Sequence, residues 1–124
     1  MIRALQLSAM AGRDLPRLFH LEQVFANQIA NDAQLALLQD PFLCHGWAGL
    51  VHSARRFVED AIHVDLRGSI SYIRSCFAAS LQREVQGMSA GLLEGQVGLE
   101  LAQLSWNDST DATTCWDNCL LVSG

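Results

Sequence analysis

Phe57-Val58-Glu59-Asp60-Ala61-Ile62-His63-Val64-Asp65-Leu66, then Arg67-Gly68 and Ser69-Ile70-Ser71-Tyr72-Ile73-Arg74-Ser75-Cys76-Phe77, is the stretch on which the fold turns. Ile62, Val64 and Leu66 alternate with His63 and Asp65, the period-two pattern of a half-buried strand. Arg67-Gly68 reads as a turn, and residues 69–77 fit another strand. The same residues also fit a helix, because Ile70, Ile73, Phe77, Leu81 and Val85 fall on one helical face. Periodicity leaves both readings open. The first leads to an α/β chain and the second to an all-α helical bundle.

Upstream, Ile2 and Ala4 flank Arg3, and Leu5 and Leu7 flank Gln6, a loose alternation that fits a short first strand. Ala11-Gly12-Arg13 breaks it. Asp14 before Leu15-Pro16 is a strong helix start, since Asp caps and Pro is tolerated in the first turn. Leu15, Leu18, Phe19, Glu22, Val24, Phe25 and Ile29 then recur at helical spacing. This predicts an amphipathic helix over 14–29, with Leu18, Phe25 and Ile29 inside and Arg17 and Gln28 outside. Asn31-Asp32 starts a second short helix through Leu35, Leu37 and Leu38, and Asp40-Pro41 stops it. Phe42-Leu43-Cys44-His45-Gly46-Trp47-Ala48-Gly49-Leu50-Val51-His52 is apolar, aromatic and glycine-punctuated, which fits two strands joined by a turn.

Downstream lies Gln82-Arg83-Glu84-Val85-Gln86-Gly87-Met88-Ser89-Ala90-Gly91-Leu92-Leu93-Glu94. Two glycines and two small residues run into a helix-compatible segment carrying Val97, Leu99, Leu101 and Leu104. The first amides of a helix lack internal partners, and small residues let a ligand approach them, an arrangement suited to a phosphate. The alternative is a glycine-rich joint between packed helices.

Strand, helix, short helix, strands, glycine-bearing turn and helix is an order that resembles the GNAT superfamily of acyl-CoA-dependent N-acetyltransferases. Met1-Ile2-Arg3 with Asp14-Leu15-Pro16-Arg17-Leu18-Phe19-His20-Leu21-Glu22-Gln23 is similar to that family's opening strand and first helix. Ala33 to Pro41 is similar to its second helix, and Glu84 to Leu93 stands in the place of its pyrophosphate loop. The resemblance implies a mixed sheet flanked by helices, shortened at the C-terminus, in one domain over 1–124. It implies acetyl-CoA held by Gln86, Gly87, Met88, Ser89, Ala90 and Gly91, with acyl transfer to a small-molecule or peptide amine. The loop departs from the family pattern at Glu84 and Ser89. The late tyrosine that serves as proton donor has no counterpart, because the one tyrosine is Tyr72. No catalytic residue is assigned. The rival to this enzyme reading is a non-catalytic, mainly helical interaction module.

Composition narrows the field. The chain has 124 residues, half of them hydrophobic and 17% charged, which places it among globular domains. All eight basic residues are Arg and lie within residues 1–83, whereas residues 84–124 carry six acids and no base. A net charge of −5 without a basic stripe argues against nucleic acid. No apolar run approaches a bilayer span, and the N-terminal stretch is broken by Gln6 and Ser8, so the expectation is a cytoplasmic protein without membrane attachment. Trp47, Trp106 and Trp116 read as core or interface anchors. With an exposed sheet edge expected, a homodimer is the predicted assembly.

Cys115-x-x-x-Cys119 with Cys44, His45 or His52 has the ligand types for zinc, but the spacing matches no recognised knuckle and no metal is assigned. His20, His45, His52 and His63 are scattered along the chain. The Ser/Thr/Cys-rich end after a helical leader also fits the composition of a modified-peptide precursor with a C-terminal core.

Overall fold

The computed structural model describes residues 1–82, 88–107, 117 and 120. Among these the chain is helical: α1 (Ile2–Ala11), α2 (Leu15–Ile29), α3 (Asp32–Leu35), α4 (Trp47–Glu59), α5 (Arg67–Leu81) and α6 (Gln96–Asn107). No strand occurs among the described residues. The expected GNAT-like mixed sheet is therefore corrected to the all-α alternative, and the acyltransferase fold it implied goes with it. The sheet edge behind the homodimer expectation goes too. No described helix is long and apolar enough to cross a membrane.

The second helix forms as its sequence predicts. The Asp14 side chain accepts the Arg17 N–H at 3.1 Å, Pro16 occupies the first turn, and Leu18, Phe25 and Ile29 are buried while Arg17 and Gln28 are exposed. Asn31 caps α3 in the same way, accepting from the Gln34 N–H at 3.3 Å. The first segment is a helix rather than a strand because its buried positions are Arg3, Gln6 and Ala9, a three-residue period. Its apolar residues misled the alternation count, since Leu5 and Met10 remain exposed. α1 ends as Arg13 takes a left-handed φ of 53° and the Asp14 N–H reaches the Ala9 carbonyl at 2.9 Å.

α4 is the centre of the bundle, packing against α1, α5 and α6. Trp47, Ala48, Val51, His52, Ala54 and Phe57 are all buried on it, so its faces carry no simple amphipathic stripe. Phe57 meets Phe25 of α2 with ring centroids 4.3 Å apart. Trp47, deep in the core, donates its indole N–H to the Leu38 carbonyl at 2.9 Å. On α5, Ile70, Ile73 and Phe77 are buried, the helical face that competed with the strand reading.

The strand-like run at Ile62, Val64 and Leu66 is a loop, and a buried charge shapes it. Glu22 is fully buried on α2, and its carboxylate accepts from three successive amides: Ile62 at 2.9 Å, His63 at 2.8 Å and Val64 at 2.9 Å. Three N–H groups that a strand would give to a neighbouring chain are satisfied by one side chain. Leu66 then drops into the core while Ile62 stays exposed. At the other side of this corner, Arg3 donates to Gln6 at 2.6 Å and pairs with Asp60 at 2.7 Å, while Gln6 donates to the Phe57 carbonyl at 2.8 Å.

Two stability measurements check this account. Leu18→Ala should lower unfolding free energy by roughly 2–5 kcal/mol, the range for a large-to-small core change. Glu22→Ala leaves three loop amides without their acceptor and should cost at least about 3 kcal/mol at roughly 1 kcal/mol or more per orphaned group. A loss of a few tenths in either variant would contradict it.

Candidate functional site

Cys44, His45 and Glu94 converge. One donor atom from each, the Cys44 Sγ, a His45 ring nitrogen and a Glu94 carboxylate oxygen, lie within 4.8 Å of one another, and all three residues are exposed. A fourth group, Asp40, sits 3.4 Å from His45 Nε2, while Glu94 Oε1 is 3.9 Å from His45 Nδ1. The imidazole thus stands between two carboxylates.

Two glycine-bearing turns build this cluster. Residues 40–46 fold back on the first turn of α4. The Trp47 N–H reaches the Asp40 carbonyl at 3.0 Å, and the Ala48 N–H reaches Pro41 at 3.0 Å. A Cβ on Gly46 would run into the Asp40 carbonyl oxygen, and one on Gly49 into that of Leu43. Residues 89–95 fold back on α6 in the same manner. The Gln96 N–H reaches the Ser89 carbonyl at 2.9 Å. A Cβ on Gly95 would strike the Ser89 carbonyl oxygen, and one on Gly98 that of Leu92. In all four cases the obstructing carbonyl lies six residues upstream of the glycine.

His45-Gly46-x-x-Gly49-Leu50 and Glu94-Gly95-x-x-Gly98-Leu99 are therefore two copies of one turn–helix unit. They lie side by side. The Cys44 N–H donates to the Leu93 carbonyl at 3.0 Å, joining the two turns at matching positions. A sequence self-comparison would have shown this spacing, since the repeated Gly-x-x-Gly-Leu is legible without a structure. Reading 42–52 as a strand hairpin hid it. That expectation is corrected, because Gly46 and Gly49 open α4.

The expected phosphate loop is placed as follows. Gln86 and Gly87 lie outside the described residues. Met88 is half-buried, and Ser89, Ala90 and Gly91 are exposed in the turn before α6. The Ser89 hydroxyl is 3.4 Å from the Glu94 carbonyl and from the Gly91 N–H, so the turn spends polar groups on itself. Cys115, Cys119 and Trp116 also lie outside the described residues. Cys44 and Cys76 are free thiols. Of the histidines, His20 is exposed, and exposed His63 meets Phe19 edge-on at 5.6 Å.

His52 belongs to a buried ionic group behind the cluster. Its Nε2 is 3.2 Å from Asp117 Oδ2, and that oxygen also accepts from Arg56 Nε and Nη2, each at 2.7 Å. His52 and Asp117 are almost fully buried. Burial pushes the His52 pKa below the ordinary 6.5, against an upward pull from Asp117. A pocket of about 250 Å³ has both His52 and Cys44 in its wall. Another cleft, of about 780 Å³, lies elsewhere, between the end of α4, the 61–66 loop and Trp106. Its charges, Arg55 and Arg67 against Glu59 and Asp65, balance, and its walls bring together no group of metal-ligating side chains among the described residues.

No protein-family model, no curated protein and no solved structure matches this chain.

Two outcomes follow from the geometry. Gly98→Ala drives a methyl into the Leu92 carbonyl and should cost at least about 1–3 kcal/mol, read as a lowered midpoint in denaturant. The His52 shift is downward, so its neutral form carries the stability. That contribution is complete above pH 6.5 and is lost as pH falls through the lower folded value. Acidification in that window should destabilise the unaltered chain more than His52→Gln, as followed by thermal melts across pH.

Proposed function

We propose that the chain holds a zinc ion of the accessible kind, bound by Cys44 and His45 with Glu94 as the third donor. The observation that carries this reading is the convergence of the three donor atoms within 4.8 Å. Thiolate and imidazole together favour zinc over magnesium or calcium, which prefer oxygen. A tetrahedral zinc has Zn–S near ~2.3 Å and Zn–N near ~2.0–2.1 Å, so its donors stand roughly 3.5 Å apart. Exposed side chains reach that spacing by small rotations. Asp40 at His45 Nε2 supports Nδ1 as the ligating atom, since a metal-bound histidine usually gives its other nitrogen to a carboxylate.

Three protein donors leave a fourth position, the pattern of a zinc that works on a bound molecule. An ion held by Cys44, His45 and Glu94 would supply Lewis acidity at that position, lowering the pKa of a fourth ligand and favouring the thiolate of a coordinating thiol. Beside Cys44 lies a cleft of about 620 Å³ whose wall includes Ile2, Phe25, Ile29, Leu38 and Leu50. A soft ion beside an apolar cleft suits a thiol carried on an apolar group better than a free water. Activation of such a thiol as a nucleophile is the reaction this arrangement supports best. This reading replaces acyl transfer from acetyl-CoA, which was implied by a mixed-sheet fold that the described residues do not form.

The test is calorimetric titration of zinc into metal-free, reduced protein. One ion per chain is expected, with Cys44→Ser and His45→Ala each weakening binding by at least about a hundredfold and Asp40→Asn by about tenfold. With cobalt in place of zinc, a thiolate charge-transfer band should appear and vanish in Cys44→Ser. Zinc binding that survives Cys44→Ser and His45→Ala unchanged would defeat the proposal, as would no binding at all.

A further inference from the structure

Cys44 borders two cavities, the 620 Å³ cleft toward α1 and α2 and the 250 Å³ pocket toward His52. Leu120 is in the wall of both, and it packs half-buried against the core. It reaches that place from a part of the chain remote from the glycine-bearing turns. Three residues earlier, Asp117 is fixed on α4 by Arg56 and His52. A buried carboxylate with two 2.7 Å donors from one guanidinium is a strong anchor, three residues from Leu120 in the sequence.

We infer that Leu120 is the residue that determines which molecules reach the open position beside Cys44, and that Asp117 is the positioning residue that holds it there. The inference rests on the zinc reading above. The ligand class is a thiol whose organic part is apolar. Leu120 shares the walls of both spaces beside Cys44 with Leu43, Gly49 and Ser53, and it alone of these comes from outside residues 43–53, so a compact thiol fits beside it and a bulky one is hindered. Removing its branched end widens both spaces. Enlarging it closes both.

The probes are ethanethiol as the compact thiol and benzyl mercaptan as the bulky one, titrated into the zinc-loaded full chain. Leu120→Ala should leave zinc affinity and ethanethiol binding within about twofold while strengthening benzyl mercaptan about tenfold, the effect of a few methylene-sized contacts. Leu120→Trp should weaken benzyl mercaptan by about tenfold or more. Leu120→Val, a smaller change, should move the ratio in the same direction as Leu120→Ala and keeps the test intact if that variant does not fold. Asp117→Asn keeps the side-chain shape but loses the charge on Arg56. It should reduce the preference for the compact thiol with zinc affinity unchanged, an outcome that a purely structural role does not give. An unaltered thiol ratio in every Leu120 variant, with zinc still bound, overturns this inference and leaves the zinc site standing. Failure of the unaltered chain to bind zinc removes the zinc reading and this inference together, whereas bound zinc that takes neither thiol overturns this inference and leaves the zinc site standing.

Discussion

Four backbone carbonyls lie where four Cβ atoms would otherwise be. The oxygens of Asp40, Leu43, Ser89 and Leu92 press on Gly46, Gly49, Gly95 and Gly98, and no other residue type tolerates that approach. These contacts let a turn fold flat against the helix it precedes. They also put His45 and Glu94 directly before Gly46 and Gly95, with Cys44 one residue earlier, at the entrances of α4 and α6. The Cys44 to Leu93 hydrogen bond then sets the two entrances side by side. The donor cluster is thus a by-product of backbone packing, which fixes where the three residues start while their exposed side chains remain able to rotate.

Buried polar groups divide the remaining work. Glu22, Gln6 and Arg3 are all interior, yet each is tied to the backbone or to a partner at the 57–64 corner. An unsatisfied group there would be expensive, so the corner holds one shape. Asp117, His52 and Arg56 form the second such group, two of its members on α4. Asp117 Oδ1 has no hydrogen-bond partner among the described residues, a cost accepted by a contact that otherwise uses one oxygen three times. One polar group fixes a connection between helices. The other fixes the wall of the site.

The legible parts of the sequence were those whose local rule and tertiary role agree. Asp14-Leu15-Pro16 and the Leu18, Phe25, Ile29 spacing describe α2 because one face of α2 is solvated and the other buried. α4 defeats such a reading, since a helix packed by three neighbours buries residues around its circumference and its glycines imitate a hairpin. The 60–66 loop defeats it differently. Glu22, some forty residues upstream, supplies the hydrogen bonds that a strand partner would have supplied, and alternation carries no record of that. The candidate site was barely legible. Cys44 and His45 entered only as possible additions to Cys115 and Cys119, with no metal assigned, and Glu94, at the end of the glycine-rich stretch, was given no role because its relation to His45 is spatial.

That relation also explains why the proposed ion stays open to a ligand. The two turn–helix units match Cys44 with Leu93 and His45 with Glu94. Had both units kept the same residues, the paired turns would offer two thiolates and two imidazoles, the closed four-ligand shell of a structural zinc. Leu93 removes one donor outright, and its side chain is exposed at the edge of the pocket beside Cys44. Glu94 replaces a nitrogen with a carboxylate that leans toward His45 Nδ1. One unit therefore contributes the soft donors and its copy a single hard one. On this account the difference between the two units, more than their likeness, separates a site that acts on a molecule from one that only holds the fold together.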